Sequence, residues 1–200
     1  MKKEAILSTG NNWGMIGHEW AVQMLQQQIA HDSLRHAYLI TGPPGVGRRT
    51  LALRLAQALE CPKPLEKGIP CGECRTCRQI FAMQYPDLTI TQREPEKKDL
   101  AVEQIRQLRQ QLVLTPYQGK YRVALLLRFH EANASAYNAL LKTLEEPPPH
   151  AKFIFATTES HKVPATINSR CQRFNFRTIS AREIANGMDA ILKQEGIAAE

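Results

Sequence analysis

Apolar residues along this chain fall into two patterns, short continuous runs and longer segments with helical spacing. The continuous runs lie at residues 38–41, 121–128 and 152–158, with a shorter strand-like segment at 88–91. The run at 121–128 is typical of a strand buried on both faces of a parallel sheet. Helical spacing occurs before and between the runs, at residues 17–33, 51–59, 100–112 and 134–146. This order of strands and helices predicts an α/β fold.

The ends of these segments carry signals of their own. Three prolines at 147–149 end the helix before them, because proline lacks the N–H group that a helix interior needs. The charged residues 92–99 predict a surface loop, and a strand at 173–177 is expected to close the sheet. Ser180 is expected to cap a last helix. The glutamines at 26–28 should face mostly outward from the first helix.

Two segments allow both a binding and a structural interpretation. Residues 13–18 could place a purine base beside the glycine-rich loop described below, or could fasten the N-terminus to the core. Arg106 and Arg109, expected on the exposed face of the helix at 100–112, could contact a phosphate backbone or form a solvated helix face. The sequence leaves both choices open.

The composition is that of a water-soluble globular protein. The chain has 200 residues, 43% hydrophobic and 22% charged, enough for one core and a small appendage. No apolar run approaches the roughly 20 residues that span a bilayer, and no signal-peptide core follows the first residues, so we expect a cytoplasmic protein without a membrane partner. The net charge of +7 favours a polyanionic partner such as nucleic acid, although a solvated basic surface also explains it.

The strand at 38–41 runs through a glycine-rich turn into a helix, which is the layout of a phosphate-binding loop. In such loops N–H groups at a helix N-terminus bind phosphate, a lysine reaches the terminal phosphates, and the next hydroxyl holds Mg²⁺. Here Arg48 replaces the lysine, Arg49 replaces the hydroxyl, and Thr50 comes one place too late. We interpret the loop as an ATPase scaffold with weakened or lost catalysis, and whether it still binds ATP stays open. The candidate phosphate-binding residues are Gly42, Gly45, Gly47, Arg48, Arg49 and Thr50.

A second part of an ATPase site is missing further along the chain. In a working ATPase of this kind, a later strand ends in an aspartate that holds Mg²⁺, commonly followed by a glutamate that polarises water. The run at 121–128 ends in Leu127 and Arg128 instead. The nearest carboxylate, Glu131, is expected in the turn that follows the strand.

Four cysteines form a C-x9-C-x2-C-x2-C pattern, at Cys61, Cys71, Cys74 and Cys77. Clustered thiols in a reducing cytoplasm favour zinc over disulfides, and four thiolates complete the tetrahedral shell of zinc without an open position. We therefore predict a structural zinc module at about residues 61–80. An iron–sulfur cluster and four unliganded buried cysteines are the alternatives.

Three sequence features together resemble the clamp-loader branch of the AAA+ family, in particular bacterial DNA polymerase III δ′ subunits. They are the run NALLKTLEEPP at 138–148, the triplet Ser-Arg-Cys at 169–171 and the cysteine cluster, and the resemblance covers nearly all of residues 16–180. It implies a RecA-like parallel sheet of five strands, with the zinc module inserted after the helix that follows the glycine-rich loop. It also implies domains at 1–178 and 179–200, the second being the start of a helical lid, with a collar domain beyond residue 200.

The resemblance also implies roles for particular residues. Arg170 would act in trans on the γ-phosphate of ATP bound to a neighbouring subunit, because a guanidinium neutralises the charge that develops on a transferring phosphoryl group. A surface or structural arginine is the alternative. Thr157 matches a sensor position of the family. The chain departs from the family at Tyr85, where a histidine is expected before Pro86 and Asp87.

The partners implied by the resemblance are clamp-loader ATPase subunits and a δ-like subunit in a five-membered ring. Through that complex the chain would also meet a sliding clamp and primer–template DNA. The features missing from the loop and from residues 127–128 then indicate a subunit of the DNA polymerase III holoenzyme that has no intrinsic ATPase activity and donates Arg170 to a neighbour.

Two other functions compete with this interpretation. One is an active clamp-loader ATPase of the γ/τ type, which would have to hold magnesium without the usual aspartate and hydroxyl. The other is a zinc-dependent nucleic-acid-binding module, which the positive charge favours and the glycine-rich loop does not.

Overall fold

The computed structural model describes residues 12–195, in which helices and strands alternate. In chain order the elements are α1 (Glu19–Ala30), β1 (Ala37–Thr41), α2 (Arg48–Glu60), α3 (Arg75–Phe81), β2 (Leu88–Thr91), α4 (Val102–Val113), β3 (Arg122–Leu127), α5 (Ala134–Glu145), β4 (Ala151–Thr157), α6 (Ala165–Asn168), β5 (Gln172–Asn175) and α7 (Ala181–Glu195). Short 3₁₀ turns follow β3 and β4, at Phe129–Glu131 and Ser160–Lys162. The outermost parts of the two predicted domains, residues 1–11 and 196–200, lie outside the described residues.

The strands form one parallel sheet of five strands in the order β2-β3-β4-β1-β5. β1 and β4 pair near its centre, with Leu39 opposite Phe155, and every residue of both strands is buried. Strands that are covered on both faces need apolar side chains on both, which explains the continuous apolar runs. The predicted α/β fold with a five-stranded parallel sheet is confirmed.

Helices cover both faces of this sheet. α1, α2 and α3 pack on one face, where Leu55 is fully buried, and α4, α5 and α6 pack on the other, where Leu140 is fully buried. Successive strand residues point to opposite faces, so Ile154 belongs to the first core and Phe155 to the second. None of the helices within residues 12–195 is both long and apolar enough to cross a membrane.

The first helix is shorter than predicted, and one of its glutamines is buried. α1 begins at Glu19 because Gly17 and His18 have φ angles of 72° and 59°, outside the helical region. Gln26 is only 9% exposed, which contradicts the prediction that it faces outward. The reason is tertiary: the loop around Gly68 lies so close that a Cβ there would be 3.2 Å from the Gln26 carbonyl oxygen.

Residues 13–18 pack against the core through Trp13 and His18. The Trp13 side chain is 2% exposed, and its indole N–H donates to the Gly68 carbonyl oxygen at 2.9 Å. The His18 ring stacks on Phe176 with 3.8 Å between ring centroids. Trp13 is thus a core residue, as the structural interpretation of this segment expects.

Other boundaries differ from the predictions by a few residues. α2 begins at Arg48 rather than at residue 51, directly after Gly47, and β5 covers 172–175 rather than 173–177, at the edge of the sheet beside β1. Arg109, expected to be exposed, is half-buried, because it lines a groove between α4 and α5. The predicted cap of α7 is confirmed, since the Glu183 N–H donates to Ser180 Oγ at 3.3 Å.

Two buried carboxylates hold the turn that leads into β3. Asp87 is fully buried and accepts hydrogen bonds from the backbone N–H groups of residues 117–119 at 2.7–2.8 Å. Glu60, the last residue of α2, accepts the N–H groups of residues 120 and 121 at 2.9 Å. The Tyr85 hydroxyl lies 3.4 Å from Glu60 and donates to it, so the residue that departs from the family has a structural partner.

Candidate functional site

The glycine-rich loop joins β1 to α2 in the shape that a phosphate-binding loop requires. Gly42 has a φ of 150°, and a Cβ there would lie 2.7 Å from the Phe176 carbonyl oxygen, so a side chain would collide with the backbone. Gly47 has a φ of 87° and directly precedes α2. The unpaired N–H groups of the helix N-terminus therefore face the loop.

A cavity of about 390 Å³ opens over this loop. It lies at the carboxyl ends of the strands, where parallel α/β sheets bind ligands. Its lining residues are Gly45, Gly47, Arg48, Arg49, Thr50, Gln92, Leu127, Arg128 and Ala156. Within residues 12–195, this lining includes three arginines and no carboxylate. The cavity suits an anion, but it offers no carboxylate to hold Mg²⁺.

Arg48 and Arg49 have different surroundings. Partial burial lowers the pKa of Arg48, yet a guanidinium stays protonated in proteins. The Arg49 Nη2 atom lies 2.8 Å from the sulfur of Met83, on the chain that follows α3. Arg48 therefore keeps its charge next to the loop, while the Arg49 guanidinium is held towards α3.

The end of β3 carries an arginine where a magnesium site needs an acid. Arg128 follows β3 and pairs with Glu131, with 2.5 Å between Nη2 and Oε1. The other Glu131 oxygen lies 3.1 Å from Arg93 Nε. As predicted, Glu131 lies in the turn after β3. Because two cations already engage its carboxylate, Glu131 is not free to hold a metal ion or to polarise water.

The sensor-like Thr157 ends β4 and is fully buried, so it does not line the cavity itself. Its Oγ1 lies 2.9 Å from His130 Nδ1 and accepts the Glu159 N–H at 3.1 Å. The His130 Nε2 lies 3.2 Å from a Glu159 oxygen, and burial lowers the pKa of His130. No sequence pattern marked His130, because its partners come from the neighbouring strand and the turn after it.

Arg170 and the glycine-rich loop lie at opposite ends of the parallel strands. It precedes β5, at the amino ends of the parallel strands, whereas the loop follows the carboxyl end of β1. Its Nη1 donates to the Thr166 carbonyl oxygen at 2.5 Å and its Nη2 to Glu145 Oε1 at 2.7 Å. The structure thus separates Arg170 from the phosphate-binding loop of its own chain. Glu145 belongs to the run at 138–148 that the sequence analysis named, but no sequence pattern pairs it with Arg170, which is 25 residues away along the chain.

The four cysteines converge at the end of α2 and the start of α3, with all four sulfur atoms within 4.8 Å of one another. The Cys61 sulfur lies 3.5 Å from that of Cys71 and 4.0 Å from that of Cys74. Zinc–sulfur bonds of about 2.3 Å in a tetrahedron place sulfur atoms about 3.8 Å apart, so the geometry fits one zinc-sized ion. An iron–sulfur cluster would hold the same thiolates further apart, because its irons and sulfides lie between them.

Backbone N–H groups point at these sulfur atoms. The N–H of Cys74 donates to the Cys71 sulfur, and the N–H of Cys77 donates to the Cys74 sulfur, both at 3.4 Å. Burial raises the pKa of Cys71, but hydrogen bonds from the backbone N–H groups of Cys74 and Glu73 outweigh it and lower that pKa to about 7. Such donors favour the thiolate form, which is the form that binds a metal ion.

The model of one protein family, described as "DNA polymerase III, delta subunit", matches residues 17–180. The chain is 37% identical over 187 residues to the DNA polymerase III subunit tau of Bacillus subtilis, covering 93% of this chain and 32% of that protein. It is 37% identical over 189 residues to the tau subunit of Escherichia coli, covering 93% and 28%. It is 34% identical over 185 residues to a gamma subunit of Buchnera aphidicola, covering 91% and 49%. The chain therefore spans between about a quarter and a half of the length of these relatives.

Solved structures show a similar fold. A DNA polymerase III gamma subunit-related protein from Thermotoga maritima has a TM-score of 0.60 and 21% identity, covering 86% of this chain and 49% of that one. The RuvB Holliday junction branch migration motor of Thermotoga maritima has a TM-score of 0.61 and 15% identity, covering 98% and 57%. At these identities the likeness concerns the fold alone.

Proposed function

Because this chain belongs to the protein family described as DNA polymerase III, delta subunit, we propose that it is a clamp-loader subunit that hydrolyses no ATP itself. It supports the loading of a sliding clamp during DNA replication, as part of the DNA polymerase III holoenzyme. In that complex it donates Arg170 to the ATP site of a neighbouring subunit. Among the subunits of the clamp loader, δ′ fits this description best.

The end of β3 carries the proposal that the chain hydrolyses no ATP. Phosphoryl transfer in enzymes with this loop needs a metal ion that bridges the phosphates and an acid that holds the metal. The cavity has Leu127 and Arg128 at that place, and Arg128 and Arg93 engage the nearest acid, Glu131. The positive charge of Arg128 would also repel Mg²⁺. The chain is therefore expected to leave ATP intact even if phosphate binds to the loop.

The direct test is an ATPase assay on the purified chain with Mg²⁺. We expect no turnover above the rate without protein. Hydrolysis by the chain alone that is lost in the Arg48→Ala variant would contradict the proposal, because it would locate the activity in this loop.

The position of Arg170 supports its proposed role in trans. It is partly exposed and lies at the amino ends of the strands, whereas the loop lies at their carboxyl ends, so an ATP site within its reach would belong to another subunit. A guanidinium supplied in trans can raise the rate of phosphoryl transfer by about 10³-fold or more. In a reconstituted clamp loader in which only the adjoining ATPase subunit can hydrolyse ATP, Arg170→Ala is expected to lower kcat about 100-fold or more. An unchanged rate would contradict the role.

The cysteine cluster is proposed to hold one zinc ion with a structural role. Cys61, Cys71, Cys74 and Cys77 supply four sulfur ligands, so the shell is closed and leaves no position for water or substrate. When bound, zinc would join the end of α2 to the start of α3. Its removal should therefore affect folding before any other property.

A second candidate function rests on the names of the relatives. The curated relatives quoted above are tau and gamma subunits rather than δ′ subunits. An ATPase subunit of that kind would have to use Arg48 in place of the lysine and would need a different magnesium ligand. The ATPase assay on the isolated chain distinguishes this candidate from the first.

The remaining parts of the proposal concern the assembly. The partners would be ATPase subunits and a δ-like subunit in a five-membered ring, which brings the chain to the sliding clamp and to primer–template DNA. We propose that α7 is the first helix of a lid domain, after a RecA-like domain that ends near residue 178. Replication of bacterial DNA takes place in the cytoplasm, which is where this role would place the chain.

A further inference from the structure

A second residue holds the guanidinium of Arg170. We propose that Glu145 is a positioning residue for Arg170, an inference that rests on the proposed role of this arginine at a neighbour's ATP site. Glu145 contacts Arg170 rather than the nucleotide. It orients the guanidinium before the neighbouring phosphate arrives, so less side-chain freedom is lost when the two meet.

The backbones of both residues are fixed by the same core. Glu145 is the last residue of α5 and follows Leu144, which is 1% exposed. Arg170 comes shortly after Ile167 of α6, which is fully buried in the same cluster. The charged side chains project from this core to the surface, where that of Glu145 is 50% exposed and that of Arg170 is 32% exposed. The pair is therefore accessible to another subunit while its two backbones are held.

The contact leaves Arg170 able to bind an anion. One Glu145 oxygen accepts from Nη2 at 2.7 Å, and the Thr166 carbonyl oxygen accepts from Nη1 at 2.5 Å. A guanidinium has five N–H donors, so further donors remain for a phosphate. A carboxylate bound through both oxygens would cover one edge of the guanidinium and compete with the phosphate. The contact through a single oxygen orients the group without covering it.

The neighbouring charges give Glu145 a second effect. Arg170 lines a surface cavity of about 500 Å³ together with Arg35 and His36, and the lining found within residues 12–195 has no carboxylate. The Arg35 guanidinium at this cavity repels that of Arg170. Glu145 counteracts the repulsion from the side of α5, and so keeps the guanidinium near the cavity that a phosphate could enter.

The test uses the reconstituted clamp loader in which only the adjoining ATPase subunit can hydrolyse ATP. Glu145→Ala is expected to lower kcat about threefold and to leave KM for ATP within about twofold, the size expected for a partly exposed ion pair. Glu145→Gln keeps an acceptor oxygen at the same reach and should recover part of this loss. The matched control is Glu146→Ala, which removes an adjacent exposed carboxylate that has no contact with Arg170.

Two further readouts separate positioning from a structural role. In the Arg170→Ala background, Glu145→Ala should have no additional effect on kcat, because Glu145 acts through the arginine. In the isolated chain, nitrogen NMR of the Arg170 side chain should show restricted rotation of the guanidinium, and this restriction should disappear in Glu145→Ala while the melting temperature changes little.

The outcomes distinguish this inference from the proposed function. A normal loss with Arg170→Ala but an unchanged or increased kcat with Glu145→Ala would overturn the positioning role alone. An equal loss with Glu145→Ala in both backgrounds would overturn it as well, because the effect would not pass through Arg170. An unchanged rate with Arg170→Ala would overturn the proposed function and the positioning role with it.

Discussion

The two ends of helix α2 differ in whether their polar groups have the partners that their chemistry needs. At the C-terminal end, Glu60 accepts two backbone N–H groups, and Cys61 meets three other thiols in a complete set of metal ligands. At the N-terminal end, the glycine-rich loop has its shape but faces arginines, with no carboxylate in the described lining of its cavity. The helix thus joins four thiols that suit one metal ion to a cavity whose described lining offers no carboxylate for Mg²⁺.

This difference shows that a loop's backbone and its chemistry are separable. Gly42 and Gly47 have positive φ angles that a turn of this shape requires, whatever the loop binds. The metal-binding groups are required only for hydrolysis. A chain can therefore have the turn, the helix N-terminus and the cavity of a phosphate-binding loop without a carboxylate in the described lining to hold Mg²⁺.

The largest effect is expected from loss of the zinc ion that we propose at the C-terminal end of α2. Cys71→Ser should abolish stoichiometric zinc binding and lower the free energy of unfolding by more than about 4 kcal/mol, because binding of a structural metal is coupled to folding. Metal analysis and denaturant unfolding measure the two effects. Cys171→Ser is the control, because Cys171 is not part of the cluster. A variant that unfolds like the wild type would remove the contrast between the two ends.

The next effect concerns the pH dependence of stability. Burial raises the pKa of Glu60 to about 7 from its ordinary value of 4.5, although the N–H groups of Lys120 and Tyr121 lower it. An acid whose pKa rises on folding binds its proton more tightly in the folded state. Stability should therefore decrease as the pH rises from about 4.5 to about 7, by on the order of 3 kcal/mol.

Glu60→Gln should flatten this part of the pH profile, as measured by urea unfolding between about pH 4.5 and about pH 7.5. The pKa of Asp87 shifts in the opposite direction, so Asp87 serves as an internal comparison. Burial raises its pKa, but the N–H groups of residues 117–119 lower it below the usual value. Its stabilising contribution is lost only as the pH falls through the acid range. An unchanged slope in Glu60→Gln would show that Glu60 ionises without cost.

A smaller effect is expected in the turn after β3, where the Glu131 carboxylate pairs with two arginines beside the cavity at the N-terminal end of α2. Glu131→Gln should lower the free energy of unfolding by about 1 kcal/mol, because Arg93 and Arg128 lose a partly buried anionic partner. Glu103→Gln is the matched control, since its pair with Arg106 is 64% exposed on both sides and should matter less. Equal losses in the two variants would mean that burial of the Glu131 pair is unimportant.

The smallest expected effect is on ATP hydrolysis. The double variant Arg48→Lys, Arg49→Thr restores the two residue types that a phosphate-binding loop normally has after its last glycine. Turnover of ATP by the isolated chain should nevertheless stay at background, because Leu127 and Arg128 still lie where the magnesium ligands are needed. Turnover in this variant would show that the β3 end is not what prevents hydrolysis.

The pattern along the chain determined which elements form and which ligands are available. Continuous apolar runs predict buried strands because both faces of β1 and β4 are covered, and the cysteine spacing predicts a closed ligand set because ligands close in sequence can converge on one ion. The sequence also shows that the glycine-rich loop lacks its usual lysine and hydroxyl, at Arg48 and Arg49, and that the end of β3 lacks an aspartate. None of these conclusions needs distances.

Only the tertiary structure decided which distant residues meet. The burial of Gln26 depends on the loop around Gly68, the engagement of Glu131 depends on Arg93, and the orientation of Arg170 depends on Glu145. These pairs lie far apart in sequence or on different elements, and single charged or amide residues carry no periodic signal. Their contacts arise from how helices pack on the sheet, which is a property of the whole core rather than of any one segment.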